Sequence, residues 1–173
     1  DFKNCVLFGM HTLNKAVPGN AKSSTLIVTE GEADALAAFQ MANNISHKAR
    51  TITRRVNAVV PVVSIKSGAA SAERDFKNHL EFLERFDRIF ICFDADTAGE
   101  KPVERCAKLL SPGKAYIVRM QYKDPCEYTQ RGMGESFVAH LKDAMCYTPA
   151  GICNAALNFD GLWSEQNLSS IDF

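Results

Sequence analysis

A chain of 173 residues, 46% of them hydrophobic and 23% charged, is long enough for one globular domain, or one domain with appendages, and can bury a core of its own. Twenty basic residues balance twenty acidic ones, which excludes a global positive field of the kind that draws nucleic acid, while a local patch still fits within a neutral total. Six cysteines without a CxxC pair argue against structural zinc and read as reduced thiols in a cytoplasmic-type compartment, and no signal peptide, lipidation motif or run of about eighteen apolar residues suggests a membrane.

Residues 1–24 lack strong periodicity and read as a flanking segment. Residues 25 to 30, TLIVTE, form a short apolar run rich in β-branched side chains, and GEADALAAFQMANN follows with Ala35, Leu36, Phe39 and Ala42 at a helical period. The pattern returns in NAVVPVVSIKSG, a second strand closing on Gly68, and in SAERDFKNHLEFLERF, a helix with Phe76, Leu80, Leu83 and Phe86 on one stripe. RIFICFDAD is a third strand, with TAGEKPVERCAKLL as its helix. KAYIVRM is a fourth, after Pro112-Gly113, and it leads into KDPCEYTQRGMGESFVAHLKDAM, whose second half is helical. Strands that alternate with helices and are apolar almost throughout predict an α/β fold: a parallel sheet of about four strands, covered by helices on both faces and joined by right-handed crossovers. The stretch 147–173 reads as a linker. A first residue of Asp rather than Met, and a polar last stretch, read as a piece of a longer polypeptide.

The chemistry sits at strand ends. Ligands of an open α/β sheet gather at the carboxyl ends of the strands. Glu30 ends the first strand there, and Asp94 and Asp96 end the third, leaving the same face of an extended segment. Asp34 lies in the first helical turn, where the dipole favours an anion. Gly31 lets the chain turn after Glu30, and Gly99 lets the third turn run close to a ligand or strand. Carboxylates held together on a dry edge repel unless a cation neutralises them, and hard oxygen donors select Mg2+ or Mn2+. Magnesium on few carboxylates keeps open positions for phosphate oxygens. The plainer alternative, that each acid merely caps a helix or meets water, has even weight for any one residue and much less for the set.

VTEGEADALA together with FDADTAG resembles the Toprim signature, an acidic EGxxDxL motif after the first strand and a DxDxxG motif after the third. The further order of Leu7-Phe8-Gly9, Pro61 to Ala69, and Lys123-Asp124 with Glu127 is similar to the primase part of the replicative primase-helicases of short-tailed phages, relatives of the Twinkle helicase within the DnaG-like Toprim family. The resemblance covers roughly residues 6 to 152. It implies a Toprim fold, with 25–146 as the catalytic domain, 1–24 as the end of the preceding subdomain and 147–173 leading toward a fused helicase domain of a ring-forming oligomer. It implies catalytic Glu30, Asp34, Asp94 and Asp96, and divalent metal held by Glu30, Asp94, Asp96 and Asp124. Nucleotide phosphates would lie near Gly31, Ser67, Gly68, Gly99 and Lys123. The activity implied is synthesis of short RNA primers from NTPs on a single-stranded DNA template.

The chain departs from such proteins in carrying neither CxxC pairs nor a GxxxxGK[ST] loop, so neither the zinc domain nor the motor is within it. Its visible basic candidates for nucleic acid are Lys3, Lys15, Lys22 and the stretch His47 to Arg55, for which an ordinary solvated insertion is the stronger reading. The same carboxylates would serve a Toprim nuclease, and a degenerate, non-catalytic Toprim module of a helicase stays open beside it.

Overall fold

The computed structural model of the chain describes residues 6–11, 13, 25–43, 60–66, 68–94 and 100–149. In chain order the elements are β1 (Thr25–Thr29), α1 (Glu32–Ala42), β2 (Val62–Ser64), a 3-10 turn (Ala69–Ser71), α2 (Ala72–Asn78), α3 (Leu80–Leu83), β3 (Arg88–Cys92), α4 (Glu100–Ala107), β4 (Ala115–Ile117), α5 (Pro125–Gln130), α6 (Gly134–Asp143) and β5 (Met145–Cys146). The sheet runs in the order β2-β1-β3-β4-β5. Its first four strands are parallel, as their unbroken apolar character predicts, and β5 adds an antiparallel edge opposite Tyr116 and Ile117. The sequence pattern carries the last helix through Met145. The helix instead ends at Asp143, and the next residues pair with β4 through backbone groups, leaving Met145 and Cys146 exposed and so without an apolar pattern to mark a strand.

Alternation along each strand feeds two cores. Leu26, Val28, Val63, Ile65, Ile89, Ile91 and Phe93 face one way, against Phe76 of α2, Leu83 of α3 and Cys106 of α4. Ile27, Val62, Phe90 and Cys92 face the other, against Ala35 and Ala38 of α1, Tyr128 of α5 and Phe137 of α6. The alanines let α1 lie close on the sheet. Upstream of β1, Leu7 and Leu13 are buried in the first core, and Phe8 bridges Ser64 of β2. The stripe of Phe76, Leu83 and Phe86 is buried as read, but the helix that carries it is broken at His79. There the imidazole Nδ1 lies 2.8 Å from the Asp75 carbonyl, which must accept its proton, and it competes with the main chain for that acceptor. Among the described residues no helix is long and apolar enough to cross a membrane.

Chain direction places the site. From β1 the chain crosses to β2 on one side, then passes back over the other face to β3 on the opposite side of β1. Helix α1 therefore covers one face and α2 to α4 the other, and the crevice at the carboxyl ends of β1 and β3 is the switch point where such sheets bind ligands.

Tyr128 ties the segment after β4 to this frame. Fully buried, it stacks edge-on with Tyr122, ring centroids 4.8 Å apart, and its hydroxyl oxygen accepts from the amides of Gln121 at 2.6 Å and Tyr122 at 3.4 Å. Removing the oxygen leaves those amides without that acceptor, so Tyr128→Phe is expected to cost about 1–3 kcal/mol of stability. Urea unfolding followed by circular dichroism measures it, and an unchanged midpoint would mean that water replaces the hydroxyl.

Candidate active site

Thr29 closes β1, and its hydroxyl donates to the Gly31 carbonyl at 3.1 Å, fixing the turn that presents Glu30 at the sheet edge. Gly31 itself is extended (φ −112, ψ 157), so the residue is not needed for the turn that the sequence suggested. Space is tight there: a Cβ would lie 2.9 Å from Asp34 Oδ2, so the Asp34 carboxylate would have to shift. Gly68 differs in that its φ of +70 does require glycine, and a Cβ on it would come within 3.4 Å of Glu30 Oε1. The loop after β2 thus passes against the Glu30 carboxylate. Buried Asp75 of α2 holds that loop by accepting from the Lys66 amide at 3.0 Å.

Asp34 lies in the first turn of α1, and its Oδ1 accepts from the Cys126 amide of α5 at 3.3 Å. Asp124 is the N-cap of α5: its Oδ1 accepts from the Glu127 amide at 2.8 Å, with Pro125 beginning the helix. Carboxylate oxygens of Asp34 and Asp124 and the Cys126 Sγ lie within 4.8 Å of one another. Asp94, two residues beyond β3, feels the charges of Glu30, Asp34 and Asp124 and meets Lys123 Nζ at 3.5 Å from its Oδ2. Asp96, Gly99 and Ser67 lie outside the described residues, as do Lys3, Lys15, Lys22 and the stretch His47 to Arg55.

Electrostatics follow from this crowding. Partial burial comes first and the Glu30 carboxylate second in raising Asp94 above the ordinary aspartate range; Lys123 opposes them, and Asp34 and Asp124 add to the rise. Burial, then the hydrogen bond and charge of Asp34, push the Cys126 thiol up to about 12. The thiol therefore stays protonated, a poor nucleophile beside the acids. Sequence reasoning set Glu30, Asp34, Asp94 and Asp96 at one edge, and the resemblance added Asp124, Gly68 and Lys123; in the structure Glu30, Asp34, Asp124 and Lys123 lie close enough to Asp94 to act on its charge, and Gly68 lies against Glu30. Sequence reasoning did not single out Cys126, which meets Asp34 across 92 positions. Nor did it give Glu127 a function, although an Asp-Pro pair followed by a glutamate is a legible capping signal. Glu127 Oε2 accepts from the Lys123 amide at 3.0 Å while Arg131 grips Oε1 through Nε at 2.9 Å and Nη2 at 2.6 Å.

The chain matches the Toprim-like family over residues 27–129. It is 30% identical over 130 residues to a DNA helicase/primase of Enterobacteria phage T3, a match that covers 75% of this chain and 20% of that protein. Among solved structures it is similar to the primase fragment of the bacteriophage T7 primase-helicase, with a TM-score of 0.56 and 28% identity over 68% of this chain and 44% of that one. It is similar as well to a complex of T7 lagging-strand DNA polymerase with primase domains bound to an RNA/DNA hybrid and dTTP, at a TM-score of 0.59 and 27% identity over 72% and 56% of the two chains. The Aquifex aeolicus primase shares the fold, with a TM-score of 0.52, 20% identity, and coverage of 80% and 30%. The chain thus spans about a fifth of the phage T3 relative's length.

The raised Asp94 carboxyl has a consequence for stability. Its neutral form is favoured by folding, so the stability it contributes is complete below the ordinary value of 3.8 and is lost as pH rises through the raised folded value. In the presence of EDTA, Asp94→Asn is expected to melt higher than the wild type near pH 7, with the gain shrinking toward about pH 4. Differential scanning fluorimetry across that range measures it; a lower melting temperature near neutrality would mean that the Lys123 pair outweighs the acids.

Proposed function

The chain belongs to the Toprim-like family, and from that premise we propose that it is the catalytic domain of a DNA primase within a phage-type primase-helicase. The observation that carries the reading is the convergence of Glu30, Asp34, Asp94 and Asp124 on the switch point of the sheet, with Lys123 the cation paired to Asp94. So many acids around one partly buried carboxylate suit a divalent cation, and their oxygen donors suit Mg2+ or Mn2+. Glu30, Asp94 and Asp124 are assigned to hold the metal together with Asp96, which the signature motif supplies.

Asp34 steadies the site through its bond to the Cys126 amide and adds negative charge. Glu30, at the end of β1, is assigned to assist proton transfer or to bind metal. The reaction is nucleotidyl transfer, in which a 3'-hydroxyl attacks the α-phosphate of an incoming NTP and pyrophosphate leaves. Bound divalent ions would stabilise the charge on the attacking and leaving oxygens. Lys123 is assigned to the triphosphate, and the turns at Gly31, Ser67, Gly68 and Gly99 to the close approach of phosphate. Partners are a single-stranded DNA template, NTPs, and a fused helicase domain of a ring-forming parent, acting in the host cytoplasm. Residues 25–146 are the catalytic unit, 1–24 the end of a preceding subdomain, and 147–173 the linker toward the helicase.

Asp94→Ala combined with Asp96→Ala, placed in the full-length protein, is expected to abolish primer synthesis on single-stranded template while the circular dichroism spectrum stays unchanged. Retained synthesis would refute the assignment. Labelled templates cut to shorter products, with no new RNA made, would assign the acids to a nuclease instead.

A further inference from the structure

Lys123 is placed at the site in a particular way. Its backbone is anchored by the Glu127 carboxylate at 3.0 Å, and Glu127 is itself fixed by Arg131. The next residue, Asp124, is fixed as the cap of α5. From that firm base a flexible four-carbon stem carries the ammonium to 3.5 Å from Asp94 Oδ2. The lysine side chain is 62% exposed and the aspartate 21%, so the cation stands at the mouth of the site and its partner further in. An oxygen in this position cannot keep a lysine and take a divalent ion without placing two cations side by side. The exposed partner is the one able to move.

We propose that the Lys123 ammonium is an exchangeable counter-ion: it holds Asp94 until a divalent ion takes its place, and, once displaced, it meets the triphosphate of the incoming nucleotide. The proposal rests on the metal and nucleotide reading of the site given above. It adds that one side chain couples the two binding events. Displacement of the ammonium makes the metal bind more weakly than the carboxylates alone would allow, and the loss is recovered when nucleotide arrives. By linkage, metal and nucleotide then strengthen each other equally, and part of that coupling runs through Lys123. A lysine suits this better than an arginine, whose planar fork pairs a carboxylate through two hydrogen bonds and leaves less readily.

Isothermal titration calorimetry on the full chain tests it, with Mn2+ as the metal probe and ATP as the nucleotide probe, for the wild type, Lys123→Met and Asp94→Asn. Lys123→Met is expected to bind Mn2+ several-fold more tightly than the wild type when no nucleotide is present. The factor by which saturating Mn2+ strengthens ATP binding, relative to EDTA, is expected to fall several-fold in the same variant. Mn2+ affinity that is equal to or weaker than wild type in Lys123→Met, or an undiminished factor for ATP, would overturn the exchange while leaving the metal site standing. If the wild type takes up no Mn2+, or Asp94→Asn binds it as well as the wild type does, the metal reading fails and the exchange falls with it. Lys123 is largely exposed, so its replacement leaves the core untouched.

Discussion

Repulsion among carboxylates is the constraint around which this domain is arranged. Glu30, Asp34 and Asp124 each disfavour the charge on Asp94, which is itself partly withdrawn from water. Left on flexible loops, four such groups would separate. Here each is tied to a different rigid element: Glu30 to the end of β1, Asp34 to the first turn of α1, Asp94 to the end of β3, and Asp124 to the cap of α5. The separation the acids would prefer is therefore opposed by the packing of the sheet and its helices, and the Lys123 ammonium paired with Asp94 partly relieves it.

The two cores are not equivalent in this task. The face covered by α2, α3 and α4 carries the larger cluster, which stiffens the sheet and supports the β2 loop from behind through buried Asp75. The face covered by α1, α5 and α6 carries two of the four acids. Asp34 and Asp124 come from two helices on that face, and the bond from the Cys126 amide to Asp34 joins them directly. Tyr128 then ties α5 to the segment leaving β4. The position of Lys123 and Asp124 is thus set by contacts reaching to α1 and to the segments that leave β3 and β4.

Much of this was legible in the sequence because it depends on local pattern. Continuous apolar strands such as RIFIC can only be covered on both faces, and acids placed where such strands end must gather at one edge. Gly68 was legible as a special position. The closeness of Gly31 to Asp34 was not, since it depends on the side-chain orientation of a residue three positions on, which the Cys126 amide helps to fix and no dihedral preference encodes. The break at His79 was hidden because Phe76, Leu83 and Phe86 keep a helical spacing across it, the burial signal outlasting the helix itself. Strand β5 was hidden for the opposite reason: Met145 and Cys146 join the sheet by backbone alone, with side chains in water. The meeting of Asp34 with Cys126 is invisible at 92 positions' separation, as it depends on how α1 and α5 pack.

The motif Lys123-Asp124-Pro125-Cys126-Glu127 concentrates what the fold achieves. Asp124 spends one oxygen on the Glu127 amide, a bond that any helix cap could make. Yet it also lies within reach of Asp34 and the Cys126 sulfur, a place that an uncharged serine cap would fill without contributing charge. Glu127 returns a bond to the Lys123 amide, so the motif's two acids and its lysine are held in one register. Pro125 at the first helical position restricts the backbone before the helix begins, which lowers the entropy lost in fixing the pair. A capping device and an acidic site are thereby the same five residues. The helix cannot be capped this way without delivering a carboxylate and an ammonium to the ends of β1 and β3, so local helix chemistry itself builds one wall of the site.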